Sequence, residues 1–424
     1  MPPLSFVPAL SRRSLAHSSA LFAGVLAAGL MLGSCGKSEE KGASSDYPHA
    51  KEQIGAAPDI YDGALTPDLE VATFRNIDRV FPTRTIAAGG TPMALPKAEK
   101  QLTQVKFTSG GKNFDLFDFL AVNRVSGLLV LKDGKIAYET YQYGNTDKTR
   151  WISMSVAKSV TSTLYGAAIK DGLISLDDQV TKYVPKLVGS AYDGVTVRDV
   201  LMMSSGVKWN EAYTDPASDE RHLLAARMTL KAGSSMEIMA ALPRAAEPGT
   251  HNNYSTGETQ VAGEVLHGAI KKPLADYLSE KIWSKYAMEA PAKWWLESPD
   301  GMEISGTGFS ATLRDYGRLG LFLMNDGVIN GQSVLADGWV KEAGSPKVLK
   351  GGAPLNYGYF LWIPPAGPSR DDGAFYGTGI HGQGLYVNQK EKVVIVVWGA
   401  QSKPGGMAQV KVLDFYDAVV AALK

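Results

Sequence analysis

Apolar runs near both ends of the chain predict β-strands that pair with one another. Residues 127–132 and 135–141 are two such runs, and the Asp-Gly pair between them is a hairpin turn signal. A second pair of apolar runs, residues 384–388 and 393–398, lies near the C-terminus. Because these strands lie so far apart in sequence, we expect an antiparallel sheet assembled from distant segments.

Apolar positions repeat at helical spacing in several segments between and after these strands. The segments with this pattern are residues 155–170, 197–203, 258–268, 273–286, 314–325 and 410–423. Strands and helices together predict an α/β (α+β) fold, with an antiparallel sheet flanked by helices. An inserted, mainly helical region is predicted at about residues 181–311.

The N-terminal part of the chain has a different pattern. Two arginines precede an apolar run at residues 21–32. The run is shorter than the ~20 residues that span a membrane, and it is typical of the core of a signal peptide. We therefore predict a signal peptide at residues 1–34. The polar stretch that follows predicts a flexible tether at residues 35–55, before a single domain at residues 56–424.

Cys35 is the only cysteine of the chain, which excludes an intrachain disulfide. The residues before it, Leu32-Gly33-Ser34, resemble the lipobox of bacterial lipoproteins. This resemblance implies that Cys35 is lipidated and becomes the mature N-terminus. It also implies an exported protein, held by a lipid anchor on a membrane of the bacterial cell envelope.

Composition and charge narrow the range of functions. The chain has 43 basic and 43 acidic residues, so electrostatics gives no reason to expect nucleic acid as a partner. Its six histidines do not form a metal-binding motif, and no phosphate-binding glycine loop is present. We therefore predict neither a metal nor a cofactor. The Gly-x-Ser-x-Gly elbow typical of α/β-hydrolases is also absent.

Candidate chemistry begins at Ser155, which is followed by Lys158 at the start of a predicted helix. Positions i and i+3 share a helix face, so the lysine amine can reach the serine hydroxyl and accept its proton. Ser-x-x-Lys also begins at Ser38, Ser109 and Ser205, but those copies lie in a polar linker, a glycine turn and a helix-ending segment. The alternative for Ser155 is a helix-capping serine beside a solvated lysine.

Two further segments offer groups that an acyl-transfer site needs. Tyr254 lies just before a predicted helix, where its hydroxyl can relay a proton. The glycine-rich segment Gly377-Thr378-Gly379 leads towards a predicted strand, and a strand edge without side chains lets a substrate approach the backbone.

These three segments, in this order, resemble the motifs of the penicillin-recognising serine hydrolase superfamily, which includes class C β-lactamases, D-alanyl-D-alanine peptidases and related esterases. The residues around Ser155 and the segment from Gly379 to Gln383 look most like the 6-aminohexanoate-dimer hydrolase branch. The resemblance runs from about residue 81 to the C-terminus. It implies a β-lactamase/transpeptidase-like fold.

The resemblance also implies roles for individual residues. Ser155 is the expected nucleophile, Lys158 the general base and Tyr254 the motif tyrosine. The backbone N–H groups of Ser155 and Ile380 form the expected oxyanion hole. The expected substrate contacts are at Tyr213, Gly379 and His381.

Two departures from the motifs bear on the substrate. Thr256 replaces the asparagine of Tyr-x-Asn, and Gly377 replaces the lysine of Lys-Thr-Gly, which helps to hold a substrate carboxylate. The chain is therefore predicted to cleave a small linear amide or ester. A β-lactamase or D-alanyl-D-alanine peptidase, and a non-catalytic ligand-binding lipoprotein, are the alternatives. Burial is predicted to lower the pKa of Lys158, and the base is either this amine or the phenolate of Tyr254.

Overall fold

A five-stranded antiparallel sheet forms the centre of the fold, in a computed structural model that describes residues 47–406, 408 and 410–424. The strands are β1 Thr83–Ile86, β2 Lys106–Ser109, β3 Lys112–Asp115, β4 Val125–Lys132, β5 Lys135–Tyr141, β6 Arg150–Ile152, β7 Ala292–Trp295, β8 Phe309–Thr312, β9 Val328–Ile329, β10 Gln332–Ser333, β11 Lys347–Val348, β12 Pro354–Leu355, β13 Phe375–Gly379, β14 Gln383–Asn388 and β15 Val393–Gly399. The central sheet has the order β13-β14-β15-β4-β5, so the predicted pairing of distant strands is confirmed.

Helices cover this sheet and fill the middle of the chain. They are α1 Ala57–Asp62, α2 Pro67–Phe74, α3 Leu116–Val122, α4 Ala157–Lys170, α5 Val197–Leu201, α6 Asp219–Met228, α7 Ser234–Ala241, α8 Thr256–Ile270, α9 Leu274–Leu278, α10 Leu313–Met324, α11 Trp339–Ala343, α12 Pro368–Asp371 and α13 Val412–Leu423. A single π-helical turn, Ser279–Trp283, continues α9.

The central strands are apolar along their whole length because both faces of the sheet are covered. Successive side chains of a strand point to opposite faces. In β4, Leu129 and Leu131 pack into the core that contains α10, whereas Leu128 and Val130 pack into a second core formed with α3 and α13. These strands are continuous apolar runs in the sequence because alternate residues pack into two different cores.

A second antiparallel sheet corrects the predicted extent of the helical insertion. This sheet has the order β1-β7-β8-β6, and β7 and β8 lie within the region predicted to be helical up to residue 311. Trp294 and Trp295 are strand residues at 0% and 1% exposure. Bulky aromatic side chains suit the pleated, buried surface that this strand presents.

The end of the predicted tether is also corrected. Residues 47–55 are packed against the domain rather than free of it. The Tyr47 hydroxyl donates to the backbone oxygen of Arg75 at 2.8 Å, and His49 Nε2 lies 3.1 Å from the Thr149 hydroxyl. Arg75 in turn forms an ion pair with Glu52. The predicted signal peptide, Cys35 and residues 36–46 lie outside the described residues.

Helix α4 runs through the interior and carries the candidate nucleophile at its N-terminal end. Twelve of its residues, from Ala157 to Ala168, are buried. A 3-10 turn, Met154–Val156, joins it to β6. In the part of the chain that the structure describes, no helix is long and apolar enough to cross a membrane.

Candidate active site

Ser155 lies in a tight turn between β6 and α4. The residue before it, Met154, has a φ of 46°. This left-handed conformation is unfavourable for a side chain of this size, and strained backbone of this kind clusters at functional sites. Gly379 of β13 packs against the same turn. An ideal Cβ on Gly379 would lie 2.7 Å from the oxygen of Ser153 and 2.9 Å from the nitrogen of Ser155. The strand edge therefore approaches the serine through bare backbone.

The Lys158 amine contacts Ser155 and two further groups. Its Nζ atom lies 2.9 Å from Ser155 Oγ, 3.0 Å from Thr256 Oγ1 and 3.0 Å from the backbone oxygen of Gly306. Lys158 is 2% exposed. This burial lowers the pKa of Lys158 to about 8, although the negative charge of Glu211 acts in the opposite direction. The predicted desolvation of the lysine is confirmed.

Tyr254 lies beside the same amine. The Lys158 Nζ atom is 5.2 Å from the centre of the Tyr254 ring, and the ring stacks on Trp362 at 5.5 Å. Burial raises the pKa of the Tyr254 phenol well above its usual value, and the charge of Glu211 raises it further, whereas interaction with Ser155 lowers it. Of the two candidate bases, the direction of these pKa shifts favours the amine, because the phenol keeps its proton.

Glu211 collects hydrogen bonds behind the lysine. Its Oε1 accepts from the hydroxyls of Thr256 at 2.5 Å and Tyr213 at 2.9 Å. Its Oε2 accepts from the backbone N–H of Thr256 at 2.9 Å and from the Trp209 indole. Tyr213 is thus brought to the cluster through Glu211. Thr256, which stands where the family motif has asparagine, is also part of this network. Its hydroxyl bridges the Lys158 amine and the Glu211 carboxylate.

A second carboxyl lies close to this network. Glu220 is 1% exposed, and neither of its carboxyl oxygens has a hydrogen-bond partner among the described residues. Burial raises the pKa of Glu220 to about 8, and the neighbouring charge of Glu211 adds to the shift. Glu220 therefore holds its proton at neutral pH, which leaves Glu211 as the negative charge beside Lys158.

The structure does not bring the His381 side chain to this cluster. His381 is 1% exposed, and its Nδ1 lies 2.6 Å from the backbone oxygen of Gln401 and 3.0 Å from Glu70 Oε1. Its Nε2 lies 3.0 Å from the backbone oxygen of Ile60. The expectation of a substrate contact by this imidazole is therefore corrected, because both ring nitrogens already face protein acceptors.

Gly377 of β13 stands where the family motif has a lysine, so this position supplies no side-chain cation. An ideal Cβ at this position would lie 2.7 Å from Ser159 Oγ and 3.3 Å from a methyl carbon of Val156. Helix α4 therefore occupies the space that a side chain at position 377 would need. Among the residues that the structure describes, no group of three His, Cys, Asp or Glu side chains is placed to hold a metal ion.

Comparison with known proteins agrees with this geometry. The beta-lactamase family model matches residues 121–414, which is more than half of the chain. The chain belongs to the beta-lactamase family. It is 31% identical over 297 residues to a 6-aminohexanoate-dimer hydrolase from Paenarthrobacter ureafaciens, covering 66% of this chain and 74% of that relative.

Solved structures give the same fold. One from Bacillus anthracis, provisionally named a 6-aminohexanoate-dimer hydrolase, superposes with a TM-score of 0.73 at 22% identity, over 83% of this chain and 92% of that one. A family VIII carboxylesterase superposes with a TM-score of 0.55 at 17% identity, over 70% of this chain and 92% of that one. The predicted β-lactamase-like fold is confirmed.

Three residues of the network were missed by reasoning from the sequence. Thr256 was noted only as a departure from a motif, and its link to Glu211 was not foreseen. Glu211 lies two residues before Tyr213, but an isolated glutamate carries no signal of its own. Glu220 lies in the charged run Asp219-Glu220-Arg221-His222 of α6, a pattern that ordinarily predicts a solvated helix face.

Replacing Gly379 with alanine is expected to disable the serine. The new Cβ would press on the Ser153–Ser155 backbone and push the strand edge away from the turn. We expect the rate of Ser155 labelling by a fluorophosphonate to fall by roughly 100-fold, as when an oxyanion-hole donor is lost. Gly405→Ala is the matched control, because no described atom lies within 4 Å of its ideal Cβ. Equal labelling of both variants would contradict the close approach.

Replacing Glu220 with glutamine is expected to change how stability depends on pH. The pKa of this carboxyl is about 8 when folded and near 4.5 when unfolded. Between these values the unfolded chain loses the proton and the folded chain keeps it, so the free energy of unfolding falls as pH rises. Glutamine has no such titration. From pH 4.5 to pH 8, the free energy of unfolding of Glu220→Gln should therefore rise relative to that of the unsubstituted protein by on the order of a few kcal/mol. Urea unfolding across this pH range measures the difference. Parallel curves would refute the buried proton.

Proposed function

We propose that this protein is a serine hydrolase that forms a covalent acyl-enzyme on Ser155. The observation that carries the proposal is the contact between Ser155 Oγ and the buried Lys158 amine, at 2.9 Å. An amine whose pKa lies at about 8 is partly neutral at physiological pH and can accept the serine proton. Sequence similarity to a 6-aminohexanoate-dimer hydrolase, an amide-cleaving relative by its name, supports the same reaction class.

Acylation and deacylation follow from the placement of these groups. Lys158 takes the Ser155 proton while Oγ bonds to the substrate carbonyl carbon, and the backbone N–H groups of Ser155 and Ile380 are proposed to stabilise the oxyanion. The bond to the leaving group then breaks, and the leaving amine or alcohol receives a proton through the phenol of Tyr254, which the lysine ammonium replenishes. Water attacks the acyl-enzyme with Lys158 as base. The acid product leaves and the serine hydroxyl is restored.

We propose a small linear amide or carboxylic ester as the substrate. Gly377 supplies no side-chain cation at the strand edge, so a carboxylate in the manner of a penicillin has no lysine to bind there. The strand edge and the stacked pair of Tyr254 and Trp362 instead present backbone and aromatic surface beside the serine. Such surface suits an uncharged chain on either side of the scissile bond.

A burst assay with three substrates tests both the reaction and its substrate class. The full set is p-nitrophenyl acetate, a linear 6-aminohexanoate dimer and nitrocefin, with Ser155→Ala as the control. We expect a burst with the ester and turnover of the ester or the amide. The kcat/KM for nitrocefin should be lower by roughly 100-fold, because a hydrogen bond to a charged group contributes about 1.5–3 kcal/mol.

Each contrary outcome has a separate meaning. Preference for nitrocefin would refute the substrate class while leaving the acyl-enzyme in place. Turnover that persists in Ser155→Ala would refute the nucleophile. No turnover together with no fluorophosphonate labelling of Ser155 would favour a non-catalytic binding protein.

We further propose that the enzyme is exported and lipid-anchored at Cys35. Support comes from the sequence alone, in the apolar run at residues 21–32 and the lipobox-like residues before this cysteine. More than one acyl chain is needed for stable attachment, and a lipoprotein cysteine carries several. Cys35→Ser should move the protein from the membrane fraction to a soluble fraction and abolish incorporation of labelled palmitate. Unchanged fractionation without label would refute the anchor.

A further inference from the structure

The hydrogen-bond partners of Lys158 determine which of its atoms donate and in which direction the lone pair of the amine faces. A neutral lysine amine has two N–H donors and one lone pair. Of its three partners, the backbone oxygen of Gly306 can only accept, so it takes one N–H. The other N–H and the lone pair are left for Thr256 Oγ1 and Ser155 Oγ. Proton abstraction requires that the lone pair face the serine.

Which of the two hydroxyls faces the lone pair depends on the single proton of Thr256. If the Thr256 hydroxyl donated to Lys158, it would occupy the lone pair and the serine would meet an N–H group. The Thr256 hydroxyl instead lies 2.5 Å from Glu211 Oε1, an acceptor. With its proton directed to Glu211, Thr256 Oγ1 can only accept from Lys158. The lone pair is then directed at Ser155.

Hydrogen bonds hold Glu211 in the position that this arrangement requires. Its Oε2 accepts from the Thr256 backbone N–H and the Trp209 indole, two groups that can only donate. Its Oε1 lies 2.9 Å from the Tyr213 hydroxyl in addition to Thr256. Donor groups therefore face both carboxylate oxygens, and Oε1 is the acceptor that the Thr256 hydroxyl meets.

We propose that Glu211 is a positioning residue that acts through the Thr256 hydroxyl to direct the lone pair of neutral Lys158 at Ser155. The inference rests on the proposed function, because it concerns the base of that reaction. Glu211 does not touch the reacting atoms, and Thr256 transmits its effect. The threonine that departs from the family motif is thereby part of a two-residue device.

Glu211→Gln tests this direction with little change of shape. Because the two donor-only groups hold the Oε2 position, the amide oxygen must lie there and the amide NH2 must take the Oε1 position. The NH2 group then donates to Thr256 Oγ1, whose own proton turns to the lone pair of Lys158. The measured quantity is the rate constant for fluorophosphonate labelling of Ser155 from pH 6 to pH 10, which requires no known substrate.

Charge and direction have separate signatures in this profile. The groups that influence the Lys158 charge are Glu211, Glu220 and Arg227, and the Tyr254 ring lies over the amine. Loss of the Glu211 charge lowers the pKa of Lys158, so the midpoint of the profile, near pH 8 in the unsubstituted protein, moves to lower pH. Loss of direction lowers the plateau above the midpoint, by roughly 100-fold if the positioned base is lost.

The proposal predicts both changes together. A midpoint that moves with an unchanged plateau would mean that Glu211 acts by charge alone, and would overturn the proposal. A plateau that falls with an unmoved midpoint would indicate a general structural defect, and would also overturn it. Glu237→Gln is the matched control, since that side chain is 62% exposed and pairs with Lys231 at the surface. It should leave the profile unchanged.

A double-mutant cycle with Thr256→Val keeps the test decisive if Glu211→Gln folds poorly. Valine removes the hydroxyl through which Glu211 acts, so Thr256→Val should lower the plateau, and Thr256→Ser should restore most of it. Adding Glu211→Gln to Thr256→Val should lower the plateau no further. Additive losses would overturn the proposal. Labelling with the predicted profile but no turnover of any substrate would count against the proposed function and not against this inference.

Discussion

An amine that must lose its proton near neutral pH has to be kept from water, and this requirement shapes the interior of the protein. Lys158 meets it as the second residue of α4, a helix that is buried from Ala157 to Ala168. A buried amine without partners would be costly, and three oxygen atoms surround Nζ at 2.9 to 3.0 Å. These oxygen atoms come from the 3-10 turn before α4, from the first residue of α8 and from the loop before β8. The site therefore exists only when these elements are packed together.

The same requirement explains why the surrounding charges are unequal. Glu211 stabilises the protonated amine and so opposes the proposed function of Lys158 as a base, yet four hydrogen bonds hold Glu211 in place. A second full charge at Glu220 would raise the pKa of Lys158 further. Burial, with no partner for its carboxyl oxygens in the part of the chain that the structure describes, keeps Glu220 protonated, as the upward shift of its pKa to about 8 indicates. The Glu211 carboxylate can then orient Lys158, while the neutral Glu220 does not add a second negative charge that would raise the pKa of the lysine.

The sequence predicts those parts of the fold and the site whose residues lie close together along the chain, and it predicts contacts between distant residues poorly. Ser155 and Lys158 are three residues apart, so helix geometry alone relates them, and the strands were evident because continuous apolar runs are needed wherever both sheet faces are covered. The short strand β7 was missed because Trp294 and Trp295 fit a buried helix as well as a strand. Glu211 and Thr256 are 45 residues apart, and only tertiary packing makes a hydrogen bond between them. His381 was expected to contact the substrate because it lies in the family-like segment from Gly379 to Gln383, whereas both of its ring nitrogens face protein acceptors in the interior.

The contact between His381 and Ile60 links helix α1 to the candidate active site. Three consecutive residues of α1 contact different parts of the cleft. The backbone oxygen of Ile60 faces the His381 ring just after β13, the Tyr61 ring lies 6.3 Å from the Tyr213 ring, and Asp62 pairs with Arg221. This helix lies before residue 121, where the family match begins. It joins the strand edge that approaches Ser155 to the loop that carries Glu211. The relative position of these two sides of the cleft therefore depends on a segment outside the matched family region, because the same short helix contacts both.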